Sequence, residues 1–264
     1  MKPVLHILAT VRQPELLQAA VFVFATLRTG FPTAEVFVWG NALPPASAAV
    51  LAQFAAAAGG KFHNLPHTSH DVWIEGLLAR STMPFWICDT DVAFWNKVED
   101  WFALDDDVAL AGRFEPAFDE EWTRTRHEER LHTCVMRFNP SALRAAIHRA
   151  MAKIPPPWGH SGEFPMVRQT FVPVRGQATR FYDTCSGIWH AGIGTAFTGT
   201  QNECFDHLNF ATYVDLIAPH LRGIAGDISE RFAAIYAQPE LARGIRADQD
   251  EYYAARQPKE LHAV

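Results

Sequence analysis

Short apolar runs alternate with longer segments of helical periodicity over the first 90 residues of the chain. The apolar runs are typical of buried strands, and the longer segments carry helix boundary signals, such as Pro14 at a first turn and Gly59-Gly60 after a last one. The predicted strands are 4–10, 35–39, 61–65 and 84–88, and the predicted helices are 15–28, 45–58 and 70–81. Strands that alternate with helices of this length indicate βαβ units, so we expect an α/β fold with a mostly parallel central sheet.

The second half of the chain is less regular. A polar, charge-mixed stretch at 115–130 predicts a loop with a short helix, and the turn-rich stretch at 159–176 predicts a long surface loop. From residue 227 onward the pattern is charged and helical. The remaining predicted elements are strands at 107–114 and 131–138 and a helix at 140–152.

Composition narrows the classes of protein that remain. The chain has 264 residues, 48% of them hydrophobic, and a formal net charge of −6, which argues against a nucleic-acid binder. No apolar run reaches the about 20 residues that a membrane span needs, and no signal-peptide pattern is present, so we expect no transmembrane segment. The four cysteines form no C-x-x-C pair, which argues against a zinc ribbon or a thioredoxin-type motif. Four cysteines are too few for a disulfide scaffold in a chain of this length, which favours a reducing, cytoplasmic location.

One acidic motif, Asp89-Thr90-Asp91, directly follows the predicted strand 84–88. Two carboxylates so close to a strand end can reach one hard divalent cation, which prefers carboxylate oxygens together with substrate phosphates. The motif alone is a weak signal, because two carboxylates in a solvated turn have the same pattern. Ligands of parallel sheets gather at the carboxyl ends of the strands, where Thr10, Arg12 and Asn41 are also expected, so we predict one shared crevice.

The order of the motifs resembles that of GT-A-type glycosyltransferases, which use nucleotide-sugar donors and carry an Asp-x-Asp segment. Residues 3–145 follow the family in order: the first strand ends in Ala9-Thr10-Val11-Arg12, a helix precedes the Asp-x-Asp strand, and 131–143 is similar to a later strand that ends in Asn-Pro. The family's Asn-x-Gly is replaced here by His132-Thr133-Cys134.

The resemblance implies a single GT-A-like domain over 1–264. Its parts would be a nucleotide-sugar-binding half at about 1–115, an acceptor-side half at about 116–225 and a helical extension at about 226–264. It implies transfer of a sugar from a nucleoside diphosphate donor, such as a UDP-sugar, to a carbohydrate or another hydroxyl acceptor, with Mn²⁺ or Mg²⁺ as cofactor. A homodimer is left open, and no nucleic-acid partner is expected.

Site residues follow from the same resemblance. Asp89 and Asp91 would hold the metal, with a histidine as a third ligand; His207 is favoured slightly over His190. Asp183 is the expected catalytic carboxylate near the acceptor, and Glu163 is the alternative base if the reaction inverts the anomeric centre. The expected donor-binding residues are Thr10, Val11, Arg12, Asn41, Asp89 and Thr90.

Three other classes share parts of this pattern. A nucleotidyltransferase would carry a glycine-rich loop after its first strand, which residues 9–13 lack. A dehalogenase-type phosphatase would carry its nucleophilic Asp on the first strand, before any helix. A non-catalytic nucleotide- or carbohydrate-binding protein on the same scaffold is the main alternative, because a fold does not fix a function.

Overall fold

The computed structural model describes residues 2–9, 23–120, 124–150 and 162–207. The strands are β1 Val4–Ala9, β2 Glu35–Asn41, β3 Lys61–Leu65, β4 Phe85–Cys88, β5 Val92–Phe94, β6 Leu110–Glu115, β7 Phe118–Glu120, β8 Thr125–His127, β9 Arg130–Phe138, β10 Thr170–Val172, β11 Thr179–Tyr182, β12 Thr195–Ala196 and β13 Phe205–His207. The helices are α1, described over 23–30, and α2 Pro45–Ala57, α3 His70–Arg80, α4 Pro140–Ala150, α5 Ser186–His190 and α6 Gly199–Asn202, with a 3-10 turn at Pro165–Val167.

Seven strands form the central sheet, in the order β12-β6-β9-β4-β1-β2-β3. β1 pairs in parallel with both β2 and β4, and β2 pairs in parallel with β3. β9 is antiparallel to its neighbours β4 and β6. The predicted α/β fold with a mostly parallel central sheet is therefore confirmed.

The strand order reverses beside β1. The chain moves from β1 to β2 and β3 on one side, and then crosses back to place β4 on the other side of β1. In sheets of this kind the ligand crevice opens at the carboxyl ends of the two strands that flank such a reversal. β4 ends at Cys88, so the acidic motif follows it directly into this crevice.

Each face of the sheet packs against its own apolar cluster. Phe85 and Ile87 belong to one cluster, and Trp86 and Cys88 belong to the other, as the alternation of side chains along a strand requires. All four residues of β4 are buried. The strand that carries the acidic motif is therefore fixed from both faces.

The prediction for 115–130 was wrong. β7 and β8 lie in this stretch and form a second, four-stranded sheet in the order β10-β11-β8-β7. β10 lies inside the predicted surface loop at 159–176, which also contains the buried Phe164, Met166 and Val167. These strands have only three or four residues, too few to show the apolar alternation that identifies a strand from sequence.

Several predictions lie outside the described residues. They are the first part of the helix at 15–28, the donor-binding segment Thr10-Val11-Arg12 and the helical extension at 226–264. The predicted end of the first helix at Gly30 is confirmed, since residues 23–30 are helical. No helix within the described ranges combines the length and the apolar character needed to cross a bilayer.

Candidate active site and metal centre

The backbone pairing of β4 holds the acidic motif at the edge of the sheet. The Asp89 N–H donates to the carbonyl of Cys134 at 2.9 Å, which continues the β4–β9 ladder one residue past the strand. Asp91 and Thr90 are buried, with 4% and 7% of their surface exposed, whereas 27% of the Asp89 side chain is exposed. Asp89 thus faces the crevice, and Asp91 lies behind it.

His207 reaches the same point from a distant part of the sequence. It lies on β13, which pairs antiparallel with β5, and its register partner is Val92, the residue after Asp91. Its Nε2 lies 3.2 Å from Asp91 Oδ1 and 3.7 Å from Asp89 Oδ2. The structure therefore brings His207, the favoured third ligand, together with both carboxylates.

Contacts around Trp95 fix the position of β13. The Trp95 indole Nε1–H donates to Asp206 Oδ2 at 2.7 Å, and the Trp95 backbone N–H donates to the carbonyl of Cys204 at 2.8 Å. The rings of Phe94 and Phe205 pack in the buried layer beneath, with centroids 6.3 Å apart. Because these contacts hold the three residues that precede His207, they place its backbone beside the acidic pair.

The donor set of this cluster fits a divalent cation. One ligand atom from each of Asp89, Asp91 and His207 lies within 4.8 Å of the other two. Burial raises the pKa of the Asp89 carboxyl and the nearby Asp91 adds to the rise, while His70 and His207 act in the opposite direction. A bound cation would relieve this cost of two neighbouring buried carboxylates. Carboxylate oxygens with one imidazole nitrogen suit Mn²⁺ better than Mg²⁺, which strongly prefers an all-oxygen shell.

A second group of possible ligands shares His207. It adds His132 and Cys134, and the His132 and His207 rings lie 4.8 Å apart. The Cys134 N–H donates to His132 Nδ1 at 3.0 Å, so this nitrogen is already used as an acceptor. Burial also raises the pKa of the Cys134 thiol, which opposes the thiolate that a metal needs. The carboxylate group is therefore the better cation site.

Asp183 lies in a network centred on Arg130. The guanidinium of Arg130 contacts Asp183 Oδ2 and, at 2.6 Å, Glu115 Oε2. Asp183 Oδ1 accepts hydrogen bonds from Gln169 Nε2 and from the Thr184 N–H, both at 2.7 Å. The charge of Arg130 also acts on Asp89, where it lowers the pKa against the larger effect of burial. Asp183 is thus held in place by Arg130, Gln169 and the backbone of Thr184.

The other predicted residues lie apart from this cluster. Glu163 is exposed and pairs with Arg144, which donates to the Leu78 carbonyl at 2.7 Å near the end of α3. That end leads into the start of β4, whereas the acidic motif follows the end of β4. His190 is exposed, and its ring lies edge-on to Tyr182, with centroids 5.2 Å apart.

The side chain of Asn41 is hydrogen-bonded to the backbone of Thr68. Its side chain donates from Nδ2 to the Thr68 carbonyl and accepts from the Thr68 N–H at Oδ1, both at 2.8 Å. This pair of hydrogen bonds ties the end of β2 to the segment that enters α3. Both polar groups of the Asn41 side chain are engaged there, at the same edge of the sheet as the acidic motif.

Sequence reasoning missed Arg130, Gln169 and His132 as members of the site. A histidine two residues before a cysteine on a predicted strand was the one available signal for His132. The sequence predicts a loop that ends at Arg130 and a strand that begins at Leu131, whereas β9 begins at Arg130.

The chain is similar to solved structures in its backbone fold, but not to known proteins in its sequence. No protein-family model matches the chain, and no curated protein matches it in sequence. The glycosyltransferase GlyE of Streptococcus pneumoniae TIGR4 is similar with a TM-score of 0.47 and 9% identity, over 97% of this chain and 64% of that one. The bifunctional glycosyltransferase WbbM gives 0.46 and 10%, over 94% of this chain and 51% of that one.

A third solved structure is the mannosyltransferase PcManGT from Pyrobaculum calidifontis in complex with GDP-Man and Mn²⁺. Its TM-score is 0.43 at 12% identity, over 97% of this chain and 76% of that one. This chain spans about half the length of WbbM and about two-thirds of the length of GlyE.

Proposed function

We propose that this protein is a metal-dependent glycosyltransferase that moves a sugar from a nucleoside diphosphate donor to an acceptor hydroxyl. The observation that carries the proposal is the convergence of Asp89, Asp91 and His207 at the carboxyl end of β4, beside the reversal of strand order. A crevice at this position is where nucleotides bind in open α/β sheets. Two carboxylates there would repel a diphosphate unless a cation lies between them.

The expected cofactor is Mn²⁺, held by Asp91 and His207 with Asp89 at the exposed side. When bound, it would neutralise the diphosphate oxygens and stabilise the leaving nucleotide. The chain itself has a net charge of −6, so it offers an anionic donor little general attraction. Binding of the donor is therefore expected to depend on the metal.

On the acceptor side we propose Asp183 as the carboxylate that contacts a sugar hydroxyl. Arg130, Gln169 and the Thr184 N–H hold both of its oxygens in one orientation. A carboxylate has about four acceptor positions, so Asp183 can accept a hydrogen bond from a sugar hydroxyl in addition to these three partners. Its arrangement favours a role in orienting a hydroxyl group, since a carboxylate fixed in this way accepts hydrogen bonds along set directions.

A thermal-shift screen tests the proposal. Nucleoside diphosphates of all common bases are added with and without Mn²⁺, and the release of nucleotide from the matching sugar donors is measured. We expect at least one nucleotide to raise the melting temperature only when Mn²⁺ is present. Asp91→Asn should abolish this shift, because it removes one charged ligand at nearly constant volume.

Two matched pairs of variants control the experiment. Asp119→Asn makes the same change at an exposed carboxylate on β7, outside the cluster, and should retain the shift. His207→Gln should lose it and His190→Gln should keep it. No Mn²⁺-dependent shift with any nucleotide would contradict the proposal. Tight donor binding without turnover would favour the non-catalytic binding protein, and release of pyrophosphate would favour the nucleotidyltransferase.

A further inference from the structure

The second sheet carries one continuous row of aromatic rings. Its four members are direct register partners across all four strands, namely Phe171 on β10, Phe181 on β11, His127 on β8 and Phe118 on β7. Ring centroids lie 4.4 Å apart for Phe171 and Phe181, 5.2 Å for Phe181 and His127, and 4.3 Å for His127 and Phe118. With strands about 4.8 Å apart, the row extends over roughly 14 Å.

The two ends of the aromatic row are accessible to solvent, while Phe181 and His127 between them are partly buried. Phe171 is 62% exposed and Phe118 is 38% exposed, at the two ends of the row. None of its rings belongs to either of the large apolar clusters that pack on the central sheet. The other face of the same strands carries Arg126, Arg180 and Asp119, each with more than 40% of its side chain exposed. Exposed aromatic surface of this extent commonly marks a binding site.

Polar groups of the candidate active site border the row. Gln169 lies two residues before Phe171, and Asp183 lies two residues after Phe181, so strand alternation puts both on the face of the rings. The hydrogen bond of 2.7 Å between Gln169 and Asp183 extends the pairing of β10 and β11 beyond the rings. Asp183 is in turn bound to Arg130, which also contacts Glu115. The β10–β11 side of the row is therefore bordered by the polar network around Arg130.

We propose that the aromatic row is the binding platform for a carbohydrate acceptor. This rests on the proposed transferase function and names the class of acceptor. A pyranose ring has an apolar face of C–H groups that packs on the electron-rich face of an aromatic ring, and its hydroxyls need nearby polar side chains. Phe171 stacks face to face on Phe181, and Phe118 stacks face to face on His127, so the row offers a sugar its ring edges and the outer faces of its end rings, Phe171 and Phe118. Gln169 and Asp183 supply the polar contacts beside Phe171. Its length suits a short oligosaccharide or the end of a glycan chain.

Affinity electrophoresis tests this without any donor. The protein migrates through native gels that contain dissolved β-glucan, galactomannan or xylan, and retardation gives a dissociation constant. We expect retardation in at least one gel, with binding weakened about 2- to 10-fold by Phe171→Ala and again by Phe118→Ala. Leu104→Ala removes an exposed apolar side chain outside the row and should change nothing.

Binding to the polysaccharide gels should not depend on the nucleotide site. Asp91→Asn should bind the polysaccharide normally while it loses the Mn²⁺-dependent nucleotide shift, so the two proposals can fail separately. Absence of retardation in all three gels would overturn the platform, and so would equal retardation of the wild type and Phe171→Ala. Concentration-dependent sedimentation that disappears in Phe171→Ala, without retardation in any gel, would instead identify the row as a contact between two copies of the chain.

Discussion

His6 is a buried histidine on the central strand β1 that must remain neutral in the folded protein. The Trp39 indole N–H donates to its Nδ1 at 3.1 Å, and the rings of Phe37 and Phe85 lie within 5.4 Å of it. Burial lowers its pKa from 6.5 to about 4, with only a weak opposing effect from Glu35. Protonation would place an unpaired charge in the core and break the bond from Trp39.

This predicts a loss of stability in mild acid. Between pH 6.5 and pH 4 the unfolded chain binds a proton at His6 and the folded chain does not, so the free energy of unfolding falls as the pH falls. The contribution of His6 is about 2 kcal/mol between pH 7 and pH 5. Urea denaturation at the two pH values measures it.

The matched variant is His6→Asn, which cannot titrate but keeps an acceptor for the Trp39 N–H. Other groups with shifted pKa values, such as His70 and Asp89, are present in both proteins, so their contributions cancel in the difference. We expect the variant to lose about 2 kcal/mol less than the wild type between pH 7 and pH 5. An identical pH dependence in the two proteins would show that His6 does not carry this effect.

Among the individual site residues, Asp89 and Asp91 could be predicted from the sequence, because two carboxylates after an apolar run form a local pattern. The sequence also suggested His207, although that choice rested on a resemblance. Arg130 and Gln169 could not be identified, because what makes them relevant is a contact with Asp183 over 53 and 14 positions respectively. Such contacts depend on tertiary packing and leave no mark in local periodicity.

The end of helix α1 packs directly on β5. A Cβ added at Gly30 would lie 2.5 Å from Phe94 Cγ, and Phe94 itself is only 1% exposed. The Phe31 ring packs edge-on against Phe94, with centroids 5.3 Å apart, so the Phe94 ring has no room to turn aside. The Gly30 carbonyl also accepts hydrogen bonds from the N–H groups of Val98 and Glu99.

We therefore predict that Gly30→Ala destabilises the fold by about 1–3 kcal/mol, as overpacking of a tight core does. Gly199→Ala is the control, because no atom lies within 4 Å of its added Cβ, and it should stay within about 0.5 kcal/mol of the wild type. Chemical denaturation of the three proteins gives both values. A Gly30→Ala protein as stable as the control would mean that the helix end shifts freely.

Elements with long apolar runs were predictable, and the short strands of the second sheet were not. β1 and β4 are buried on both faces, so their composition identifies them as strands. β7 and β8 are three residues long, and the cross-strand aromatic pairs that stabilise them join residues 9 positions apart or more. The platform proposed for the acceptor therefore lies in the part of the fold that the sequence described least well.

The negative net charge of the molecule means that binding of an anionic nucleotide would depend on a cation at the candidate metal site. A chain with a net charge of −6 that binds a diphosphate must overcome repulsion, first at the acidic pair and then from the molecule as a whole. Mn²⁺ and nucleotide should therefore bind cooperatively, because each reduces the repulsion that the other meets. The charge of Arg130 is already shared by Glu115 and Asp183.

Calorimetry can test this cooperativity quantitatively. Saturating Mn²⁺ should tighten nucleoside diphosphate binding by a factor in the range of about 5 to 150, and saturating nucleotide should tighten Mn²⁺ binding by the same factor, since linkage is reciprocal. Both titrations are corrected for the Mn²⁺–nucleotide complex that forms in solution. The matching nucleoside without phosphate should show no coupling, because it brings no charge to the metal. If the nucleotide binds equally well with and without Mn²⁺, or if Asp91→Asn retains the coupling, then the acidic pair is not the place where metal and diphosphate meet.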